Sequence, residues 1–186
     1  MNLETRQKEC EEEKFTDEFR KCLYQEKKIK NNFEIVFLCI GTDRITGDCL
    51  GPFVGTKLEQ QFKKCNISNL TIYGTLKKNV CYTDLQEILN KIKELHQNSC
   101  IIVIDAALST QENIGKIFVK REKMLLGKGL HKNKIEIGDI SIKAVVGKNY
   151  KLPKHNFSSL QNISLHLVIE LAEIIAQGII ETIKYI

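Results

Sequence analysis

Asp43 and Asp48 lie in the segment GTDRITGDCLGP (41–52), and Asp105 closes the apolar run CIIVID (100–105). Carboxylates brought within about 4–6 Å of each other cannot both ionise freely, so one pKa rises and the pair holds a proton between them. One member then acts as base toward water while the other donates, which is the logic of aspartic-type hydrolysis. The same two carboxylates, joined by a histidine or a water, would instead ligate a divalent metal that polarises a carbonyl. A third reading needs no chemistry: Asp48 caps the helix that follows it, and Asp105 is a turn residue at a strand end.

Other chemistries fit these segments poorly. The 41–52 loop carries Gly41, Gly47 and Gly51, yet it has neither the GxGxxG spacing of a dinucleotide site nor the Lys-Ser/Thr pair that ends a Walker A loop. Its two aspartates would repel a phosphate. Cys49 stands near a helix start, where thiol pKa values fall, but the neighbouring Asp48 works against ionisation. His96 and His166 fall in helical segments and read as structural, and His155 is a loop residue without context. His131 sits in a loop ahead of IGDISI (137–142) and is the one histidine retained as a metal-ligand candidate, with Asp48 and Asp105.

An alternation of strands and helices must position these residues. FEIVFLCI (33–40) is a continuous apolar run followed at once by glycine, as expected of a strand buried on both faces. Leu50, Val54, Leu58 and Phe62 recur every four residues and predict a helix. LTIY (70–73) is a second strand. Leu85, Ile88, Leu89, Ile92 and Leu95 form a helical stripe opened by Asp84 and Glu87 as a capping pair. CIIVID is the third strand, GKIFV (115–119) and DISIKAVV (139–146) add two more, and 158–186 is a long helix in which Gly178 marks a bend. Such a series implies βαβ units: an α/β three-layer sandwich whose mostly parallel central sheet is flanked by helices. Ligands in such sheets bind beyond the carboxyl ends of the strands, where the first and third strands deliver Asp48 and Asp105.

At 186 residues the chain is one domain with an appended element. Residues 1–32 carry eight basic and eight acidic side chains, with Phe15, Phe19, Cys22 and Leu23 at helical spacing, and form a charged N-terminal helix that packs on the main domain, links to a partner or serves as a removable leader. Residues 33–186 are the α/β domain. The longest strictly apolar run, Ile35 to Ile40, is far short of a bilayer span. Seven cysteines without a CxxC pair fit no disulfide scaffold or zinc ribbon and point to a reducing, cytoplasmic compartment. The net charge of +5 is concentrated between residues 116 and 154, where eleven Lys and Arg face three Asp and Glu. That surplus is either a solvated face or a surface for an acidic partner, and no nucleic-acid motif accompanies it.

The motif CIGTDRITGDCLGPFVGTKL (39–58) resembles the opening motif of the sporulation protein YyaC family. IYGTLKKNV (72–80), IIVIDAAL (101–108), IGKIFV (114–119), IGDISIKAVV (137–146) and LQNISLHLVIELAEII (160–175) follow in that family's order, so the resemblance covers nearly everything from residue 33 onward. That family is similar to the germination protease of spore-forming bacteria and, more distantly, to hydrogenase maturation endopeptidases. The resemblance implies an aspartate-dependent peptidase in which Asp48 and Asp105 match the catalytic positions and Asp43 and Asp139 are supporting residues, with Gly41, Gly47 and Gly51 shaping the loop. It implies a peptide or protein substrate of the spore, no required cofactor apart from the divalent metal of the maturation-type alternative, and a location in the sporulating cell or spore interior. No membrane or direct nucleic-acid partner is expected, and a homo-oligomer stays open. The alternatives are a non-catalytic spore binding protein on a peptidase-like fold and a metal-dependent maturation endopeptidase. The sequence departs from the family at Cys49, where serine is common, at NVCYTDL (79–85), which lacks a histidine, at LLGKG (125–129), which lacks a proline, and at VGKNYKLP (146–153).

Overall fold

The computed structural model describes residues 3–29, 34–65, 67, 69–126 and 135–185. Five strands form the central sheet in the order β2 (Leu70–Tyr73), β1 (Ile35–Cys39), β3 (Cys100–Ser109), β7 (Ile140–Lys148) and β4 (Ile117–Lys120). β2, β1, β3 and β7 run parallel, and β4 pairs antiparallel with β7 at one edge. A separate two-stranded ribbon joins β5 (Met124–Leu126) to β6 (Ile135–Ile137). The helices are α1 (Leu3–Ile29), α2 (Leu50–Cys65), α3 (Leu85–Leu95), α4 (Pro153–Gln161) and α5 (Leu165–Ile183).

Side chains alternate across each strand, so the sheet has two apolar faces. One face, with Phe37, Cys39, Ile102, Ile104, Ile142 and Ala144, is covered by α1, α2 and α5. The other, with Val36, Leu38, Ile40 and Val103, is covered by α3 and by Met124 and Leu126 of the ribbon. This is the expected α/β arrangement of a mostly parallel sheet between helical layers. α1 contributes Phe15, Phe19 and Leu23 to the same core as the sheet. Its Glu11 accepts a hydrogen bond from the Ile117 N–H (3.0 Å), which covers part of the β4 edge, and Glu26 pairs with Arg121 just beyond that strand.

Several elements depart from the sequence expectations. β3 does not stop at Asp105 but continues to Ser109, because β7 extends alongside it to Lys148. The expected helix over 158–186 is two helices, with α4 starting at Pro153 and α5 at Leu165. Gly178 marks no bend: α5 is continuous there, and a Cβ at that position would lie 2.6 Å from the Phe15 ring and from Thr16 Oγ1. The glycine permits the close approach of α1. Asp84 makes no capping bond to α3; its carboxylate accepts from Cys81 Sγ (2.8 Å). No single described helix is long and apolar enough to cross a membrane; α4 and α5 meet the criterion only as a pair, bent by 85°.

Candidate active site

The sheet reverses its winding between β1 and β3: the chain leaves β1 toward β2 on one side and next enters β3 on the other. Such a switch point leaves a crevice beyond the carboxyl ends of the two strands. The register places Cys39, the last residue of β1, opposite Ile104, and the Ile40 N–H donates to the Ile104 carbonyl (2.8 Å) as the first strand departs. Asp105 is the next residue. It therefore lies inside a strand, at the level where its neighbour on one side has ended. Its register partner on the other side is Lys143 of β7, whose side chain shares its face.

The loop after β1 folds back to this level. Gly41 has φ +137°, and a Cβ there would strike the Asp48 carbonyl. That carbonyl instead accepts the Thr42 N–H (3.0 Å), which closes the loop around a single 3-10 turn, Thr46–Asp48. Gly51, in the first turn of α2, approaches the Ile40 carbonyl too closely for any side chain. Gly47 is buried beneath Leu160 and Ile163, at the end of α4 and just beyond it. The three glycines thus allow backbone contacts that bring Asp48 toward the crevice.

Both carboxyls are perturbed. Burial raises Asp48 to about 6, opposed by a backbone N–H of Thr42. Asp105 rises to about 7, first through burial and then through the negative charge of Asp48, opposed by the Ala106 N–H and the Lys143 ammonium. Between about pH 6 and 7 these shifts leave Asp48 the ionised member and Asp105 the protonated one. Cys49 is pushed up to about 11 by burial and by the charges of Asp43 and Asp48, so its thiol is not a nucleophile at neutral pH.

Asp43 is exposed on the same loop, and its Oδ1 accepts a hydrogen bond from Asn79 Nδ2 (2.6 Å), tying the loop to the segment after β2. Asn79 Oδ1 is buried and has no hydrogen-bond partner among the described residues. Asp139 lies elsewhere. Its Oδ2 accepts the Ile101 N–H (2.8 Å) at the start of β3, four residues before Asp105 and so about 13 Å away along the strand. It neighbours Glu26 and Cys100 and anchors the start of β3 at the amino ends of the strands. His131 lies outside the described residues. Of the other histidines, His96 bonds Glu34 Oε1 (2.7 Å) and the Tyr73 hydroxyl (3.1 Å), far from the crevice at the amino ends of the strands. Lys143 and Asn79 escaped the sequence reading. Lys143 did leave a signal, as the only charged residue in the buried run ISIKAVV (140–146).

The model of the family described as protein of unknown function (DUF1256) matches residues 7–178. The chain belongs to this family. It is 35% identical over 145 residues to the uncharacterized protein YyaC of Bacillus subtilis (strain 168), a match spanning 78% of this chain and 67% of that one. Among solved structures it is similar to the [NiFe] hydrogenase maturation protease HycI from Thermococcus kodakarensis, at a TM-score of 0.55 and 18% identity over 87% of this chain and 99% of that one. The resemblance to the YyaC family is thus shown, and the likeness to HycI shows a peptidase-like fold.

Proposed function

We propose that this DUF1256 protein is an aspartate-dependent peptidase whose water is activated by Asp48 and whose proton donor is Asp105. The observation that carries the reading is the pair of half-buried carboxyls at the topological switch point, Asp48 raised to about 6 by burial and Asp105 raised to about 7 by burial and by the negative charge of Asp48. Ionised Asp48 accepts a proton from water as the water oxygen bonds to the scissile carbonyl carbon. Protonated Asp105 delivers its proton to the carbonyl oxygen. Collapse of the tetrahedral intermediate breaks the C–N bond as Asp48 passes the proton it took from water to the departing nitrogen, and a hydroxyl of the intermediate returns a proton to Asp105 as the carboxylic acid forms and leaves with the amine. Lys143 disfavours protonation of Asp105 and so keeps its pKa near neutrality rather than higher. The likeness to YyaC motifs supports a substrate among proteins of the sporulating cell.

The test exposes a proteome-derived peptide library to the wild-type protein and to Asp48→Asn and Asp105→Asn, and reads new termini by mass spectrometry. New termini made by the wild type alone, and made equally in the presence of a chelator, support the dyad. Cleavage that a chelator abolishes and a divalent metal restores turns the same residues into metal ligands. Termini that persist in both variants overturn the assignment of the pair.

A further inference from the structure

We propose that the surface formed by the β7–α4 loop and α4 is a docking site for an extended peptide segment combining acidic and apolar side chains, and that it leads the segment to the aspartate crevice. The proposal rests on the peptidase reading above and names the substrate chemistry. Between residues 140 and 169 the chain has four lysines and two histidines and not one Asp or Glu. Lys148, Lys151, Lys154 and His155 are exposed there, with exposed Tyr150 (42%) and Leu152 (51%) between them, Phe157 (52%) two residues after His155, and Leu165 (50%) at the start of α5. Apolar side chains this exposed and this close in sequence, interleaved with one sign of charge, match a partner that brings apolar anchors and negative charge.

The surface is built rather than loose. Asn156 accepts the Tyr150 N–H (2.6 Å) and donates to the Asn149 side chain (2.9 Å) and the Tyr150 carbonyl (3.0 Å), which fixes the loop onto α4. The Tyr150 ring meets His155 edge-on at 6.2 Å, and Lys148 Nζ lies 5.5 Å from its centre. A held aromatic side chain loses little entropy on binding, which is why such residues dominate recognition energies. The surface is also continuous with the site. Leu160, one turn from Phe157 on α4, rests on Gly47 immediately before Asp48, and Lys143 on the strand that leads into the loop stands beside Asp105. That continuity favours a substrate over an anionic membrane, which the same basic and aromatic composition would otherwise suit.

The test selects binders from a phage-displayed library of random peptides on full-length Asp48→Asn protein. It repeats the selection with Tyr150→Ala and Lys151→Glu added, and measures flotation with vesicles containing phosphatidylserine. Both added substitutions fall on exposed side chains, and circular dichroism checks the fold. The expected result is enrichment of peptides that combine several acidic with apolar residues, an affinity loss of at least about tenfold in the added variant, weakening with salt, and no flotation. Enrichment of peptides without acidic residues, no enrichment, equal binding by the added variant, or flotation that the two substitutions abolish overturns the proposal. Binding is read without cleavage, so the two readings fail separately. Peptides that bind the wild type and are never cut retire the peptidase reading, whereas cutting that ignores the two substitutions retires the docking surface.

Discussion

Two causes hold the proton on Asp105, and substitution separates them. Asp48→Asn removes the neighbouring charge and leaves the burial, so the Asp105 pKa falls from about 7 while staying above an ordinary carboxyl. In the wild type, cleavage requires one ionised and one protonated member, so the rate is expected to follow a bell with limbs near pH 6 and 7 and to vanish in either Asn variant. Stability runs the other way. Both folded pKa values lie above the unfolded value of about 3.9, so between these limits the unfolded chain binds fewer protons and stability falls as pH rises from about 4 to 7. Each Asn variant removes one ionisation, and denaturant unfolding is expected to show it more stable than the wild type at pH 8 by on the order of 1–3 kcal/mol, with the gain gone at pH 4. A gain of equal size at both pH values would assign it to packing instead of ionisation. Cys49→Ser, at a thiol held protonated, is expected to keep cleavage within a few-fold, and loss of activity in a folded Cys49→Ser protein would return the thiol to the mechanism.

At the scale of elements, the decisive geometry is where β1 ends against β3, and only part of it is legible in the sequence. The apolar runs at 35–39 and 100–105 and the glycine after the first mark both strands, which is enough to send Asp48 and Asp105 toward the carboxyl ends of the strands. The continuation of β3 to Ser109 is not legible, because Ala106 to Ser109 become strand only through pairing with β7. Asp139 also depends on pairing: it stands in a family motif beside an apolar run, and parallel pairing puts the start of β7 at the amino end of β3, where the Asp139 carboxylate accepts the Ile101 N–H. Asp139→Asn is therefore expected to lower stability, by about 1–3 kcal/mol for a part-buried charge-assisted bond, without moving the pH limbs of cleavage. Melting curves and a pH profile distinguish that from a catalytic role. Gly178 offers a contest of magnitudes. Alanine gains about 1 kcal/mol of helix propensity, but a methyl 2.6 Å from Phe15 and Thr16 forces the α1–α5 crossing apart at about 1–3 kcal/mol. Gly178→Ala is expected to destabilise, and a higher melting temperature would mean that the helices separate cheaply.

For the whole molecule, the question is whether residues 33–186 are a self-sufficient body to which a charged helix is added. The composition of 1–32 suggests an appendage, since its charges balance and its apolar residues are few. The packing says otherwise: Phe15 (1% exposed), Phe19 (0%) and Leu23 (0%) lie in the same apolar layer as Ile102, Ile142 and Ile179. Three such side chains are worth about 1.5–3 kcal/mol each, so their sum is of the order of a whole domain's stability, about 5–15 kcal/mol. Deleting α1 would also uncover the outer side of β4, an edge strand with an open Ile117 N–H where Glu11 now accepts, and would leave Arg121 without Glu26. Uncovered edges and apolar faces associate. The chain lacking residues 1–32 is therefore expected to lose its cooperative melt or to run as oligomers in size-exclusion chromatography, while Phe19→Ala in the full chain loses about 3–5 kcal/mol and stays monodisperse. A shortened chain that melts cooperatively near the full-length temperature would show that α5 and the sheet close over the gap without it. The helix would then be separable from the fold that carries Asp48 and Asp105.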